Sequence, residues 1–114
     1  MKSAITNRWS RFSALHAYQQ AVASDANNGL SQRNLALEFL RRNDFDNAVA
    51  HAREAARLTP ADAAAHNLLG LALIGDQKIG DAIAEFRASL ALQPDNNDAA
   101  GYLERTLKAT GRLP

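Results

Sequence analysis

The feature that most constrains this chain is an internal repeat, in which the stretch at 29–62 is followed by a similar stretch at 63–96. When the first stretch is aligned with the second, apolar residues match over a whole unit without a gap. The matched pairs are Leu35 with Leu69, Phe39 with Leu73, Phe45 with Ile79, Ala48 with Ala82, Val49 with Ile83, Leu58 with Leu92, and Pro60 with Pro94. Because a repeat unit buries its apolar face only against its neighbours, the chain is predicted to fold as a stack of similar units.

Each unit has the pattern of two helices joined by a short turn. Its apolar residues recur at helical spacing, and most are Ala or Leu, which favour helix. Pro60 and Pro94 end the second helix of each unit, because proline has no amide hydrogen and disfavours helical geometry in the preceding residue. The predicted helices are 9–24, 29–42, 45–58, 62–75, 79–92 and 97–110. The predicted fold class is therefore all-α.

The second unit carries a family signature. Leu69-Gly70 followed by Leu73, then Ala82, Phe86 and Pro94, resembles the tetratricopeptide pattern W-x2-L-G-x2-Y, A-x3-F and P. The departures are His66 in place of Trp, Ala36 in place of Gly, Ala52 in place of the large aromatic residue, and Ser89 in place of Ala. They make the first unit the less typical copy without breaking the pattern.

The resemblance covers nearly the whole chain and implies one domain over residues 1–114. It implies antiparallel helix-turn-helix repeats stacked as a short right-handed α-solenoid. The implied parts are an N-terminal flanking helix at 9–24, repeats at 29–62 and 63–96, and a C-terminal capping helix at 97–111.

In this family the first helices of successive units line a concave surface that takes an extended peptide or a partner helix. The resemblance implies a similar surface in this chain. Its predicted lining residues are Leu30, Arg33, Leu37, Leu40, Arg41, Asn67, Leu71, Ile74, Arg105 and Lys108. The basic members of this set predict a ligand with an apolar side and one or more acidic groups. The helix at 62–75 is apolar around most of its circumference, which predicts an exposed apolar patch on it.

The favoured interpretation is a protein–protein interaction module or adaptor that is not an enzyme. Some family members grip acidic C-terminal tails of chaperones, but Leu37 stands where that clamp needs Asn. One alternative is a self-associating assembly unit, because Trp9, Phe12 and Tyr18 place aromatic residues on a flanking helix without its usual partner. A second alternative is the regulatory part of a larger enzyme.

The sequence offers no converging set of catalytic or metal-binding residues, so no cofactor is predicted. There is no cysteine, and no histidine has another three or four residues away. His51 and Glu54 are one helical turn apart, which predicts a surface hydrogen bond between them. His66 stands where the family buries an aromatic residue, so we expect it to pack in the core.

Charge and hydropathy narrow the classes of partner. The chain has 13 basic and 12 acidic residues, and this near balance argues against a nucleic-acid partner. No apolar run is long enough to cross a bilayer, so no membrane insertion is predicted. Since the N-terminus also lacks the pattern of a signal peptide, the cytoplasm is favoured and the compartment stays open.

Overall fold

The computed structural model describes residues 14–112, and all regular structure in that range is helical. Helix α1 includes residues 14–24. It is followed by α2 (Gly29–Arg41), α3 (Phe45–Leu58), α4 (Ala63–Gly75), α5 (Ile79–Leu92) and α6 (Asn97–Ala109). The ends of α2 to α6 lie within one residue of the limits that the repeat pattern predicts. The fold is an all-α helical repeat.

Short polar side chains start most of these helices. An Asn or Asp side-chain oxygen accepts a hydrogen bond from an amide of the first turn, which the helix itself leaves unpaired. The capping pairs are Asn28 with Ser31, Asp44 with Asn47, Asp62 with Ala64, and Asn96 with Ala99. Among α2 to α6, the exception is α5, which starts after Lys78 without a side-chain cap.

The turn between the two helices of a unit has the same backbone geometry in both units. Asn43 and Gln77, which occupy equivalent positions in the two units, both have left-handed backbone geometry, with φ angles of 59° and 62°. The next amide then returns to a carbonyl of the first helix, from Asp44 to Phe39 at 2.9 Å and from Lys78 to Leu73 at 2.8 Å. The two units therefore fix the angle between their paired helices in the same way.

One continuous core joins the units. Alanines make up much of this core, and Phe86, Leu69 and Leu73 are the largest side chains that are almost fully buried. Leu15, Tyr18 and Val22 of α1 pack against the same core and are partly buried. Tyr18, which was a candidate for self-association, therefore contacts its own domain. The other two candidates, Trp9 and Phe12, lie outside the described residues.

Candidate functional site

The name candidate groove is used for the ten predicted lining residues, which lie on α2, α4 and α6. Sequential helices pack on one another from α2 to α6, and the first helix of one unit, α2, also contacts the first helix of the next, α4. Five lining residues come from α2, three from α4 and two from α6. The helices that carry the α2 and α4 members are therefore in contact, whereas α6 packs on α5.

The exposed apolar part of the candidate groove lies on α2. Leu30 is 55% exposed and Leu37 is 36% exposed, and their spacing of two helical turns puts them on one face. Leu71 and Ile74 of α4 are instead half-buried against the core. The expected exposed patch on the helix at 62–75 is therefore wrong. Helix α4 contacts α2, α3 and α5, so most of its apolar circumference is covered.

The remaining lining residue of α2 with an apolar side chain is Leu40, which is half-buried and packs against the core. It therefore offers less surface to a ligand than Leu30 and Leu37 do. Within residues 14–112 the one other large apolar side chain that is strongly exposed is Leu92, at 43% on α5. Leu92 belongs to the second helix of its unit and lies outside the candidate groove.

Arg33 of α2 forms an ion pair with Asp62, the residue that caps the first helix of the next repeat unit. Its Nη1 lies 2.7 Å from Oδ2 of Asp62, and both side chains are about one-third exposed. The other oxygen of Asp62 accepts the amide of Ala64 at 3.0 Å and so caps α4. Arg33 was predicted to bind the ligand, but the structure also engages it in an ion pair. Its pairing with a residue 29 positions away has no signal in the sequence.

The other basic lining residues differ in their partners. Arg41 lies 3.7 Å from Glu38, and Lys108 lies 2.8 Å from Glu104, whose pKa is lowered by that hydrogen bond and charge. Arg105 has no carboxylate partner among the described residues. Its guanidinium instead lies 5.2 Å from the centre of the Tyr102 ring. Of the four cations, Arg105 is thus the one whose charge is not neutralised by a carboxylate within residues 14–112.

Asn67 has an unmet hydrogen-bonding group. Its Oδ1 is the one buried side-chain polar atom in the described part of the chain without a hydrogen-bond partner. A buried polar group in this state costs about 1–3 kcal/mol. Such groups are few in native proteins, and this one lies on a residue of the predicted groove lining.

His51 is oriented differently from the sequence expectation. Its Nδ1 lies 2.8 Å from Oε1 of Gln32, and its ring stacks on Phe39 with 5.6 Å between centroids. Glu54 pairs with Arg57 instead. The predicted hydrogen bond between His51 and Glu54 is therefore wrong, because the imidazole turns inward against α2. This burial lowers the pKa of His51, although the charge of Glu54 opposes the shift.

His66 is half-buried and polar in its contacts, so the expectation of simple core packing is wrong. Nδ1 lies 2.9 Å from Oε2 of Glu85 on α5, and Nε2 lies 2.9 Å from the backbone oxygen of Pro60. Burial alone would lower the pKa of His66, but its hydrogen bonds to Glu85 and Pro60 raise it above its ordinary value.

Two negative observations apply to the described part of the chain. No three His, Cys, Asp or Glu side chains come together there in a cluster that could hold a metal ion. No helix within residues 14–112 has the length and apolar character needed to cross a membrane.

The paired helices, the repeated turn geometry and the close contact of Gly70 on α4 with the Phe86 ring on α5 define a helical repeat protein built from two-helix units. A family profile described as "Tetratricopeptide repeat" matches residues 33–97, which is more than half of the chain. The chain belongs to the tetratricopeptide repeat family. A comparison with curated proteins gives no match.

Solved structures share this fold. The first TPR of Spaghetti (RPAP3), bound to the HSP90 peptide SRMEEVD, superposes with a TM-score of 0.86 at 22% identity, covering 96% of this chain and 86% of that chain. The Arabidopsis OM64 TPR domain superposes with a TM-score of 0.82 at 24% identity, covering 93% of this chain and 88% of that chain. MamA 41-end from Desulfovibrio magneticus RS-1 gives 0.85 at 20% identity, with 98% of this chain but 63% of that chain covered. At these identities the likeness concerns the fold alone.

Proposed function

We propose that this chain is a protein–protein interaction module whose candidate groove binds a peptide or a partner helix. The observation that carries the proposal is the exposure of Leu30 and Leu37 on one face of α2. The opposite face of the same helix buries Leu35 and Phe39 almost completely, so α2 does not need the two exposed leucines for its own packing. Neighbouring apolar side chains that remain exposed on one surface are typical of contact sites.

The polar members of the candidate groove support a ligand with acidic groups. Arg105 carries a charge without a carboxylate partner in the described residues, and a planar guanidinium is well suited to bind a carboxylate. Asn67 adds a half-buried side-chain amide. An amide of this kind matches the main-chain groups of an extended peptide, which a helical ligand has already paired internally.

Two structures of similar fold contain peptides with acidic residues near their ends. The first TPR of Spaghetti (RPAP3) holds the HSP90 peptide SRMEEVD, and the second TPR domain of human RPAP3 is in complex with the HSP70 peptide SGPTIEEVD. In this chain Leu37 stands where the clamp for such tails needs Asn. We therefore propose an acidic peptide that also places an apolar side chain against Leu37.

A peptide selection tests the proposal. A random peptide library is selected on the immobilised chain, and the selected peptides are then measured against the double variant Leu30→Glu, Leu37→Glu. Burying a leucine contributes about 1.5–3 kcal/mol, so binding is expected to weaken at least about tenfold. Leu92→Glu makes the same change at an exposed leucine outside the candidate groove and should leave affinity unchanged. Equal loss in both variants would refute the proposed site.

Exposed leucines are better test positions than the half-buried Leu71. A charge at Leu71 would disturb the core that it contacts and would confuse loss of binding with loss of folding. The self-association alternative now depends on Trp9 and Phe12, because Tyr18 packs against its own domain. A mass that rises with concentration in solution, and falls when Trp9 is replaced by Ala, would favour that alternative.

A further inference from the structure

His66 faces a hydrogen-bond acceptor at each of its two ring nitrogens. One is Oε2 of Glu85 on α5, and the other is the backbone oxygen of Pro60 in the turn between α3 and α4, each at 2.9 Å. A carbonyl oxygen and an ionised carboxylate only accept hydrogen bonds, whereas a neutral imidazole has a single N–H to donate. Both contacts are therefore hydrogen bonds only when the ring carries two protons.

The charged groups around His66 favour that form. Glu85 approaches from α5, and Asp62 lies one helical turn before His66, at the start of α4. Arg33 of α2 is directed at this region too, but its charge is paired with Asp62 at 2.7 Å. Burial lowers the pKa of His66, and the hydrogen bonds and negative charges outweigh burial, so that the pKa is raised above the ordinary value of 6.5.

We propose that His66 is a pH-dependent latch that, as an imidazolium, joins both the α3–α4 turn and α5 to α4. Loss of one proton leaves one N–H for two acceptors, so one of the two hydrogen bonds is released. The turn also contains Asp62, which caps α4 and holds Arg33 at the edge of the candidate groove. The latch itself does not depend on which ligand that groove binds.

The sign of the pH dependence follows from the geometry. The folded state binds the second proton of His66 more tightly than the unfolded state does. The contribution of the latch to stability is therefore complete below the ordinary histidine pKa of 6.5, and it is lost as the pH rises through the folded-state value.

The repeat provides an internal control. The amide of Asp62 donates to the carbonyl of Thr59 at 3.0 Å in the α3–α4 turn, and the amide of Asn96 donates to Gln93 at 3.0 Å in the α5–α6 turn. Asp62 and Asn96 occupy equivalent positions in successive units, but Ala100 stands where His66 stands in the preceding unit. The second turn therefore has the same backbone geometry without the latch.

NMR titration of the full chain tests the protonation. The ring resonances of His66 should titrate at higher pH than those of an unstructured histidine peptide in the same buffer. Glu85→Gln removes one charged acceptor and should lower the midpoint of His66. Glu104→Gln makes the same change at the exposed carboxylate on α6 and should leave that midpoint unchanged. A midpoint at or below that of the free peptide, or one that Glu85→Gln does not lower, would overturn the proposal.

Amide hydrogen exchange tests the release. After correction for the intrinsic pH dependence of exchange, protection at Asp62 or at the helical amides around Glu85 in α5 should fall about fivefold as the pH passes the midpoint of His66. That factor corresponds to one hydrogen bond of typical net strength. Protection at Asn96 should not change over the same interval. If no amide in either segment loses protection while His66 titrates, then His66 is an ionised surface contact and not a latch.

Discussion

The ring of Phe86 covers Gly70 so closely that a β-carbon built on the glycine would lie 2.5 Å from Cε1 of the ring. Phe86 belongs to α5 and is completely buried, whereas Gly70 lies in the middle of α4. Any side chain at Gly70 would therefore have to push the two helices of the second unit apart. The glycine sets the distance between these helices.

Gly70→Ala is expected to destabilise the domain, measured as the free energy of unfolding in urea. Overpacking of a buried contact costs about 1–3 kcal/mol, and the better helix propensity of Ala returns up to about 1 kcal/mol. Gly80→Ala is the matched control, because a β-carbon there would meet nothing within 4 Å. Because Gly80 is the second residue of α5 and does not lie in its middle, that variant should match the parent or gain up to about 0.5 kcal/mol. Equal stability of the two variants would contradict the close contact.

Asp62 combines two roles that two substitutions separate. Asp62→Asn keeps an oxygen that can cap α4 but removes the charge opposite Arg33, so the loss of stability should stay below about 1 kcal/mol for this partly exposed pair. Asp62→Ala removes the cap as well and should cost about 1–2 kcal/mol. Thermal and urea unfolding of both variants measure the difference. If the two substitutions cost the same, the cap contributes nothing.

His51 is expected to oppose His66 in its effect on stability. Burial lowers the pKa of His51, so the unfolded state binds the proton more tightly. The domain should therefore lose stability through His51 as the pH falls from the ordinary value of 6.5 to the folded-state value. NMR titration should place the His51 midpoint below 6.5, and Glu54→Gln should lower it further, because the charge of Glu54 raises it. An unchanged midpoint in that variant would show that Glu54 does not act on His51.

Arg105 is expected to affect ligand binding more than stability. Arg105→Gln should weaken the binding of selected acidic peptides by about two- to fivefold, which corresponds to an exposed ion pair, and added salt should reduce the difference. The free energy of unfolding of the Arg105→Gln variant should differ from that of the parent by less than about 0.5 kcal/mol, as is usual for exposed positions. Arg53→Gln, at an exposed arginine on α3, is the control. A similar loss of affinity in both variants would indicate only a general effect of net charge.

The sequence predicts the fold well because the signals for helix boundaries are local and because both repeat units carry the same apolar pattern. Pro60, Pro94 and the capping Asp and Asn residues mark helix boundaries through backbone chemistry that does not depend on distant contacts. The alignment of one unit with the next then shows which apolar faces recur. Leu69, Phe86 and their equivalents are recognised as core from this pattern alone.

The candidate site is harder to predict because its state depends on contacts between units. Leu71 and Leu37 occupy corresponding lining positions on α4 and α2, yet Leu71 is half-buried and Leu37 is exposed. The difference arises from the helices on either side of α4. Likewise, His51 turns toward Gln32 and His66 toward Glu85, and each pair is separated by 19 residues. Helical spacing along one element cannot show such contacts.

The most direct test of the groove is amide NMR of the chain titrated with a peptide from the library selection. The account predicts the largest shift changes on α2 and α4 near Leu30, Leu37 and Asn67, with little change near Leu92. If the changes instead cluster around Leu92 on α5 or along α1, while the amides of α2 and α4 stay unchanged, the peptide binds elsewhere and the candidate groove is not the interaction site.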